Sequence, residues 1–534
     1  MVTVYDYIIV GSGINSLTCA GLLAKQGHLV CVLERNDYLG GCIKTAELTE
    51  PGFNHDVLSA WHPLFVTSPS YAELAEDLAR HGLVYLSTDT PTASINGAKK
   101  SCIMSTSRAQ NIAHFNRLSE GDGDRYKQTM EDMEQDAEFT FALLSNELIR
   151  FKTLGLLWRQ LRQRGLQGLL RFFGYAMSSS RDWLTQHFQS EQIHALFAPW
   201  ILHTGLGPDA NLSGAMNRVI AFSLEVAGMP IVKGGSSNLV SAFAGLISEN
   251  GSKLHTNSHV SGIIVENGRA IGVRVNANDN DNGTASTSFM ARKAVICNVT
   301  PDQLYGVLLS PEYVPEQIKK EVREYRYGRA CMQIHLALDQ VPKWIDPLLD
   351  LVPMVHLSDG ADSVSKAINQ SERGMLPDEC TVVVGQPTAL DPSRAPEGKS
   401  ILWLQLQELP SYIKGDAAGT IDVPLSGEWT ESVREQYADR VIERLCDYIP
   451  NLKSSILSRS VLSPVDLEEL NINLVGGDPY SGHCGMQQFF AWRPLKSIKN
   501  HDTTVKDLYQ IGASTHPGPG LGGNSGYMVA KHLG

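Results

Sequence analysis

An α/β fold is predicted by three observations. A strand, a glycine turn, a helix, a strand and an acid follow one another at the N-terminus, strand patterns return after a long helical stretch, and the C-terminus carries a strand, a glycine-rich loop and a helix. Tyr5 to Val10 read as a buried strand, Gly11-Ser12-Gly13-Ile14-Asn15-Ser16 as a tight turn, Leu17 to Gln26 as a helix stopped by Gly27, and His28 to Leu33 as a strand ending in Glu34. That order is the Rossmann-type dinucleotide-binding unit: Gly11 makes the turn, Gly13 admits a pyrophosphate, the helix N-terminus attracts it, and Glu34 accepts the ribose hydroxyls. Ser16 stands where the pattern has a third glycine for close helix-on-strand packing, and its small side chain fits with a slight shift.

Tyr71 to Leu202 read mainly as inserted helices, with apolar residues at three-to-four spacing in Tyr71 to Gly82 and Gln192 to Leu202. Strand patterns return at Val260 to Val265, Ile271 to Val275 and Ala294 to Cys297, and Glu266-Asn267-Gly268 between the first two is a hairpin signal. Asn276 to Ser288 is polar and reads as a loop. Cys331 to Leu338 and Ser400 to Glu408 read as strands, and Ser432 to Tyr448 as an amphipathic helix ending before Pro450. Ala389 to Lys399 is the one charged linker candidate and is too short to separate independent domains.

At the C-terminus, Leu508 to Ile511 form a short strand that enters the loop Gly512 to Gly526, and Tyr527 to Leu533 form the last helix. Six glycines in those fifteen loop residues let backbone amides approach a flat ligand, and the helix that follows offers a positive dipole end. Such a loop suits the pyrimidine edge of a flavin.

With 534 residues, 43% of them hydrophobic, the chain can bury a large core. A formal net charge of -12 argues against nucleic acid as a partner. The nine cysteines are scattered and contain no Cys-x-x-Cys pair, so neither a disulfide framework nor a metal site is expected. Met1 to Val4 lead into the first strand with no secretory pattern, which makes the cytoplasm the expected location, and no window reaches the ~18 apolar residues of a membrane span. Leu143 to Phe173, however, mixes Leu, Phe and Trp with Arg150, Lys152, Arg159, Arg162, Arg164 and Arg171. That composition suits either a solvated helix pair or peripheral contact with an anionic membrane surface at the rim of a substrate entrance.

Jointly these pieces resemble the phytoene-desaturase-like, or phytoene-dehydrogenase-related, branch of the FAD-dependent oxidoreductases, a group related to carotenoid isomerases and amine oxidases. The resemblance runs nearly end to end: Gly11-Ser12-Gly13; Leu33-Glu34 to Gly40-Gly41; Pro51-Gly52-Phe53 and Asp56; Met229-Pro230 to Gly234-Gly235; Asn298-Val299-Thr300-Pro301; Gly476-Gly477-Asp478 to Arg493-Pro494; and Gly512 to Gly526. It implies a glutathione-reductase-like FAD-binding domain at 1–70, 222–305 and 500–534, with a mixed-sheet and helical substrate domain inserted discontinuously at 71–221 and 306–499. It also implies noncovalent FAD held by Gly11, Gly13, Ile14 and Asn15, by Glu34 and Arg35, by Gly40 and Gly41, by the backbone of Val260, and by Gly512, Gly520, Leu521 and Gly522. Asp56 is implied near the isoalloxazine.

Only one dinucleotide fingerprint is present, so the hydride is expected to come from a small hydrophobic organic substrate, with flavin N5 accepting it and oxygen, a quinone or a protein taking the electrons onward. The pocket is expected between the inserted helices and the sheet of Cys331 to Glu408. Two-electron desaturation is the leading expectation; amine oxidation, double-bond isomerisation and a non-catalytic FAD-binding role stand beside it. An amine oxidase needs an aromatic cage, for which Trp403, Tyr412, Phe489, Phe490 and Trp492 are available. His62, His483 and His516 are weak candidates for acid or base work; a structural histidine is the favoured reading of the first two and holding the flavin loop that of His516, and Cys42 reads as a core thiol rather than a flavin anchor.

Overall fold

The computed structural model describes residues 4–276 and 287–534. In chain order the elements that position the site are β1 (Val4–Val10), α1 (Ile14–Lys25), β2 (Val30–Leu33), α2 (Pro69–Arg80), β3 (Thr92–Ile95), β4 (Ser101–Met104), α3 (Asp122–Ser145), α4 (Phe151–Ala176), α5 (Ser213–Ala227) and α6 (Ser237–Glu249). There follow β5 (Lys253–His255), β6 (Val260–Glu266), β7 (Arg269–Val275), β8 (Thr287–Asn298), β9 (Ala330–Leu338), β10 (Met354–Leu357), β11 (Val382–Gly385), β12 (Ser400–Leu409), β13 (Ile456–Leu462), β14 (Leu508–Ile511) and α7 (Asn524–Leu533).

The first sheet has the order β6-β7-β8-β1-β2-β5, with β14 on β8. Its centre is parallel, and α1, α6 and α7 cover one face through Leu17, Leu23, Phe243, Leu246 and Val529. Val10 is in register with both Leu33 and Cys297. Gly11, Glu34 and Asn298 therefore leave the sheet side by side at its carboxyl edge, where open α/β sheets bind ligands.

The second sheet has the order β13-β9-β12-β11-β10-β3-β4 and is antiparallel except between β10 and β3. Alternation along β12 sends Leu402, Leu404 and Leu406 into a core under the helix Glu431–Cys446 and turns Trp403, Gln405 and Gln407 to the other face. Between the sheets, buried Arg394 bonds Asp56 at 2.9 Å and Asp391 at 3.0 Å, and Asp391 also accepts from the Gly234 amide. Ala389 to Lys399, the linker candidate too short to separate domains, thus carries a clamp.

Several expected boundaries move. α1 begins at Ile14 rather than Leu17, with Gly13 as its N-cap, so the glycine turn is shorter and the helix end lies closer to the sheet edge. The stretch from Tyr71 to Leu202 is not all helical: β3 and β4 lie inside it and extend the second sheet. They are four-residue strands, and β3 is buried on both faces, so it shows no alternation. α2, assigned from the sequence to the substrate half, packs Leu74 and Leu78 into the core under the first sheet. β8 is longer than Ala294 to Cys297 because its first residues carry polar, half-exposed side chains on the β7 pairing. Of the expected loop Asn276 to Ser288, residues 277–286 lie outside the described residues, and Thr287 and Ser288 are in β8.

Candidate functional site

One continuous cavity runs from the carboxyl edge of the first sheet to the inner face of the second. Its nucleotide end is built by glycines that bring backbone strands into contact. A Cβ on Gly13 would stand 3.1 Å from Asn298 Nδ2, and one on Gly41 would stand 3.3 Å from the Gly13 Cα. Gly11 and Gly40 have φ of +87° and +114°, in the region glycine favours. Asn298 also donates to the Ser16 hydroxyl at 2.9 Å, so the residue that departs from the fingerprint has a partner there.

The N-terminus of α1 opens into this cavity with no side-chain cap and no acidic residue in its first turn. Its free amide N–H groups and dipole fit a pyrophosphate. Glu34, buried at the end of β2, accepts from the Ser12 amide at 2.9 Å, the Ser12 hydroxyl at 2.6 Å and the Asn36 amide at 2.9 Å. A carboxylate offers about four acceptor positions, so roughly one is left for a ribose hydroxyl, and the residue's first task is to hold the glycine turn. The Ser12 hydroxyl in turn accepts from the Gly40 amide at 2.9 Å, tying the two glycine segments together.

At the flavin end, the Gly512 amide donates to Ser525 Oγ at 3.0 Å, and Thr515 Oγ1 pairs with the same hydroxyl at 2.7 Å. The loop is braced from behind by Arg493, which is buried and donates to the carbonyls of Ala513 (2.8 Å) and Tyr480 (2.7 Å). Like α1, α7 starts from a glycine, Gly523, without a side-chain cap or a first-turn acid. The N-terminus of α7 is not on the cavity wall, whose lining ends at Leu521, so the uncapped end of α1 and the glycine cradle are what fit FAD. The residues that would hold it, Gly11, Gly13, Ile14, Asn15, Glu34, Arg35, Gly40, Gly41, Val260, Gly512, Gly520 and Leu521, all line this cavity.

Gly522 is a correction: it stands behind the wall, where its carbonyl accepts from Ser70 Oγ at 2.8 Å. Asp56 is another, since it is not on the wall but in the buried Arg394 clamp.

None of the three candidate histidines lines the cavity. His62 is held between the Tyr85 hydroxyl (3.0 Å) and Ser59 Oγ (3.3 Å). His483 Nδ1 accepts from the Gly485 amide at 3.0 Å. His516 Nε2 donates to the Leu143 carbonyl at 3.0 Å and so fastens the flavin loop to α3. Burial pulls all three down to about 4, with the nearby Arg326, Arg329 and Arg493 adding to the effect at His483. Their work is structural; the imidazoles on the wall are His259, beside Val260 at the nucleotide end, and His203, whose Nε2 lies 3.1 Å from Nε2 of buried His356. Burial holds His203 at about 4 as well, and therefore neutral.

The substrate end is lined by Trp61, Trp200, Met354 and the α5 residues Met216, Val219, Ile220 and Leu224, together with Gln333, Trp403, Gln405 and Gln407 of the second sheet. Trp61 and Trp403 stack with centroids 5.9 Å apart. Of the proposed aromatic cage, Trp403 and Phe489 reach the wall, whereas Phe490 does not, and Tyr412 and Trp492 are exposed. No residue of 143–173 is on the wall, so that segment does not form its rim; α5 stands between. Sequence reasoning missed His203, Trp61 and the inner face of α5. The i, i+3, i+4, i+8 spacing of Met216, Val219, Ile220 and Leu224 was the available signal.

A profile of the family described as Flavin containing amine oxidoreductase matches residues 17–468. The chain is 25% identical to mouse (Mus musculus) "Pyridine nucleotide-disulfide oxidoreductase domain-containing protein 2" over 98% of its own length and 92% of that protein's. It is 23% identical to a 4,4'-diapophytoene desaturase (4,4'-diapolycopene-forming) from Methylomonas sp, over 96% and 92% of the two chains. Among solved structures, an oxidoreductase from Methanosarcina mazei superposes with a TM-score of 0.59 at 18% identity, covering 98% of this chain and 99% of its own, which shows the shared fold. FAD is the cofactor that this cradle serves.

Proposed function

This chain belongs to the flavin containing amine oxidoreductase family, and on that premise we propose that it dehydrogenates a largely apolar organic substrate at carbon. In this reaction a hydride leaves one carbon and a proton leaves its neighbour, and a C=C bond remains. Bound FAD supplies the two-electron acceptor, relieved afterwards by oxygen, a quinone or a protein.

One observation carries this reading. Among the described residues, the only charged side chains on the cavity wall are Glu34 and Arg35, both at the nucleotide end. A cationic substrate taken out of water would meet no counter-charge at the other end, whereas a hydrocarbon skeleton meets methionines, tryptophans and the aliphatic face of α5. Gln333 and Gln405 lie opposite one another on β9 and β12 and give that end neutral hydrogen-bonding groups that orient without charge. His203, neutral and backed by His356, would take the departing proton in this reaction. The desaturase name of the Methylomonas relative supports the same reaction type.

Amine oxidation is the second reading, favoured by the family. It wants an aromatic pair open to the substrate, and two ring faces with a carbon between them need about 7 Å. At 5.9 Å, Trp61 and Trp403 fill each other's faces.

Anaerobic mixing with alkenes, alkanes and amines, followed by flavin absorbance, tests the proposal. Bleaching by apolar substrates is expected. Bleaching by amines alone, at a rate rising with pH through the amine's own pKa, would overturn it.

A further inference from the structure

We propose that α4 is a docking helix that lies in the headgroup region of an anionic lipid surface. Its amphipathicity is the reverse of what a globular protein gives its helices. The buried side chains described in it are Thr153 and Gln160, while Phe151 is 93% exposed, Trp158 61% and Leu166 63%. The exposed residues are ordered: Phe151, Leu154 and Trp158 follow i, i+3, i+7, and Leu166, Leu170 and Phe173 follow i, i+4, i+7. Each set falls on one side of its half of the helix, and the halves meet at Gly165, whose φ of 67° and ψ of 173° break the regular helix. Folding alone has no use for such a face.

Charge identifies the partner. No acidic residue occurs between Glu147 and Asp182, a stretch that contains Arg150, Lys152, Arg159, Arg162, Arg164 and Arg171, in a chain whose net charge is -12. Arg164 is tied to Asp136 and Arg159 to Glu138 at 3.1 Å, whereas Arg162 and Arg171 have no ion-pair partner among the described residues. Large exposed apolar side chains and arginines without ion-pair partners on one helix, with Arg162 one turn from Trp158 and Arg171 flanking the Leu166, Leu170 and Phe173 row, are the pattern of helices that lie on anionic membranes. No described helix is long and apolar enough to cross one.

The helix is also rooted at the site. Asn500 exchanges two hydrogen bonds of 3.0 Å with the backbone of Ile149, and Glu147 bonds His501 at 2.7 Å, whose other nitrogen donates to the His516 carbonyl of the flavin loop. Along its outer half, Tyr175 stacks under the Arg218 guanidinium at 3.5 Å, and Arg218 is on α5, the helix whose inner face lines the substrate end. A lipid-bound α4 would place the cavity one helix away from the bilayer surface.

Flotation of the FAD-loaded protein tests this with vesicles of phosphatidylcholine alone and of phosphatidylcholine with phosphatidylglycerol. The protein is expected to float with the anionic vesicles at low salt and to stay behind with the neutral ones. Each basic side chain near such a surface strengthens binding about fivefold, so R159Q/R162Q/R171Q should bind on the order of a hundredfold more weakly. Trp158→Ser with Leu170→Ser should weaken binding at least about tenfold per residue with flavin content unchanged, because both side chains are exposed in the folded chain. Wild-type protein that stays at the bottom at low salt overturns the proposal, as does flotation that survives both sets of substitutions. A dimer that W158S/L170S dissociates, together with absent flotation, would assign the face to a second copy of the chain and overturn it equally.

Discussion

His62, His335 and His516 occupy sites where a charged ring would lose its water without gaining a carboxylate contact. Each is at most 3% exposed, and His335 Nε2 donates to the Val57 carbonyl at 3.1 Å. Burial sets all three at about 4 against 6.5 for the free side chain. The unfolded chain therefore binds more protons than the folded one between those values, and the stability these rings contribute is present above about pH 6.5 and is lost as pH falls toward 4. At roughly 1.4 kcal/mol per unit, each carries at most about 3 kcal/mol. Glu408 works the other way, since burial raises it to about 7 and acidification relieves it. The histidine share is thus read as a difference: between pH 7 and 5 the unfolding temperature of His62→Gln should fall less steeply than that of the wild type. Parallel slopes would show that His62 is not held neutral.

At the scale of elements, the closest approach in the nucleotide half is between α1 and α7. A Cβ on Gly526 would stand 1.8 Å from the Asn15 carbonyl oxygen, and the Gly526 amide already donates to Asn15 Oδ1 at 3.2 Å. Gly526→Ala should push α7 off α1, pull Ser525 from the Gly512 amide and open the flavin loop. The expected cost is about 1–3 kcal/mol, with a lower unfolding temperature and FAD lost on gel filtration. Gly155→Ala in α4, where nothing lies within 4 Å, should be neutral or slightly stabilising. Full flavin retention in Gly526→Ala would show that the two helices are not in register. The same glycine explains a misread boundary: α7 starts at Asn524, but Gly522 and Gly523 just before it and Gly526 in its first turn look like loop, because a residue chosen for a tertiary contact carries no local helical signal. The strand, turn, helix and strand of the nucleotide unit were legible because local pattern and ligand chemistry agree there. The substrate wall was not, because His203, Trp61 and Gln405 come from three distant segments and each resembles an ordinary core residue until the sheets meet.

At the scale of the molecule, the two sheets divide the chemistry by their topology. Dinucleotide sites form at the carboxyl edges of parallel strands, where loops and helix N-termini converge. The first sheet has such an edge, filled by Gly11, Glu34 and Asn298 around the uncapped start of α1. The second is antiparallel at every pairing but one, and that one, β10 with β3, joins strands of four residues each. Alternating strand directions bring loops of both senses to each edge and gather no row of helix N-termini, so the second sheet offers a wall for a substrate rather than a seat for NADH or NADPH. The buried Arg394 clamp joins the sheets across a single cavity. A nicotinamide donor would therefore have to share the apolar end with the substrate while carrying its own pyrophosphate past a wall without a cation there. Under anaerobic conditions, micromolar NADH or NADPH should leave the flavin absorbance unchanged over minutes. Rapid bleaching by either would mean that a nucleotide site exists outside the parallel edge, and the division of labour between the two sheets would fall with it.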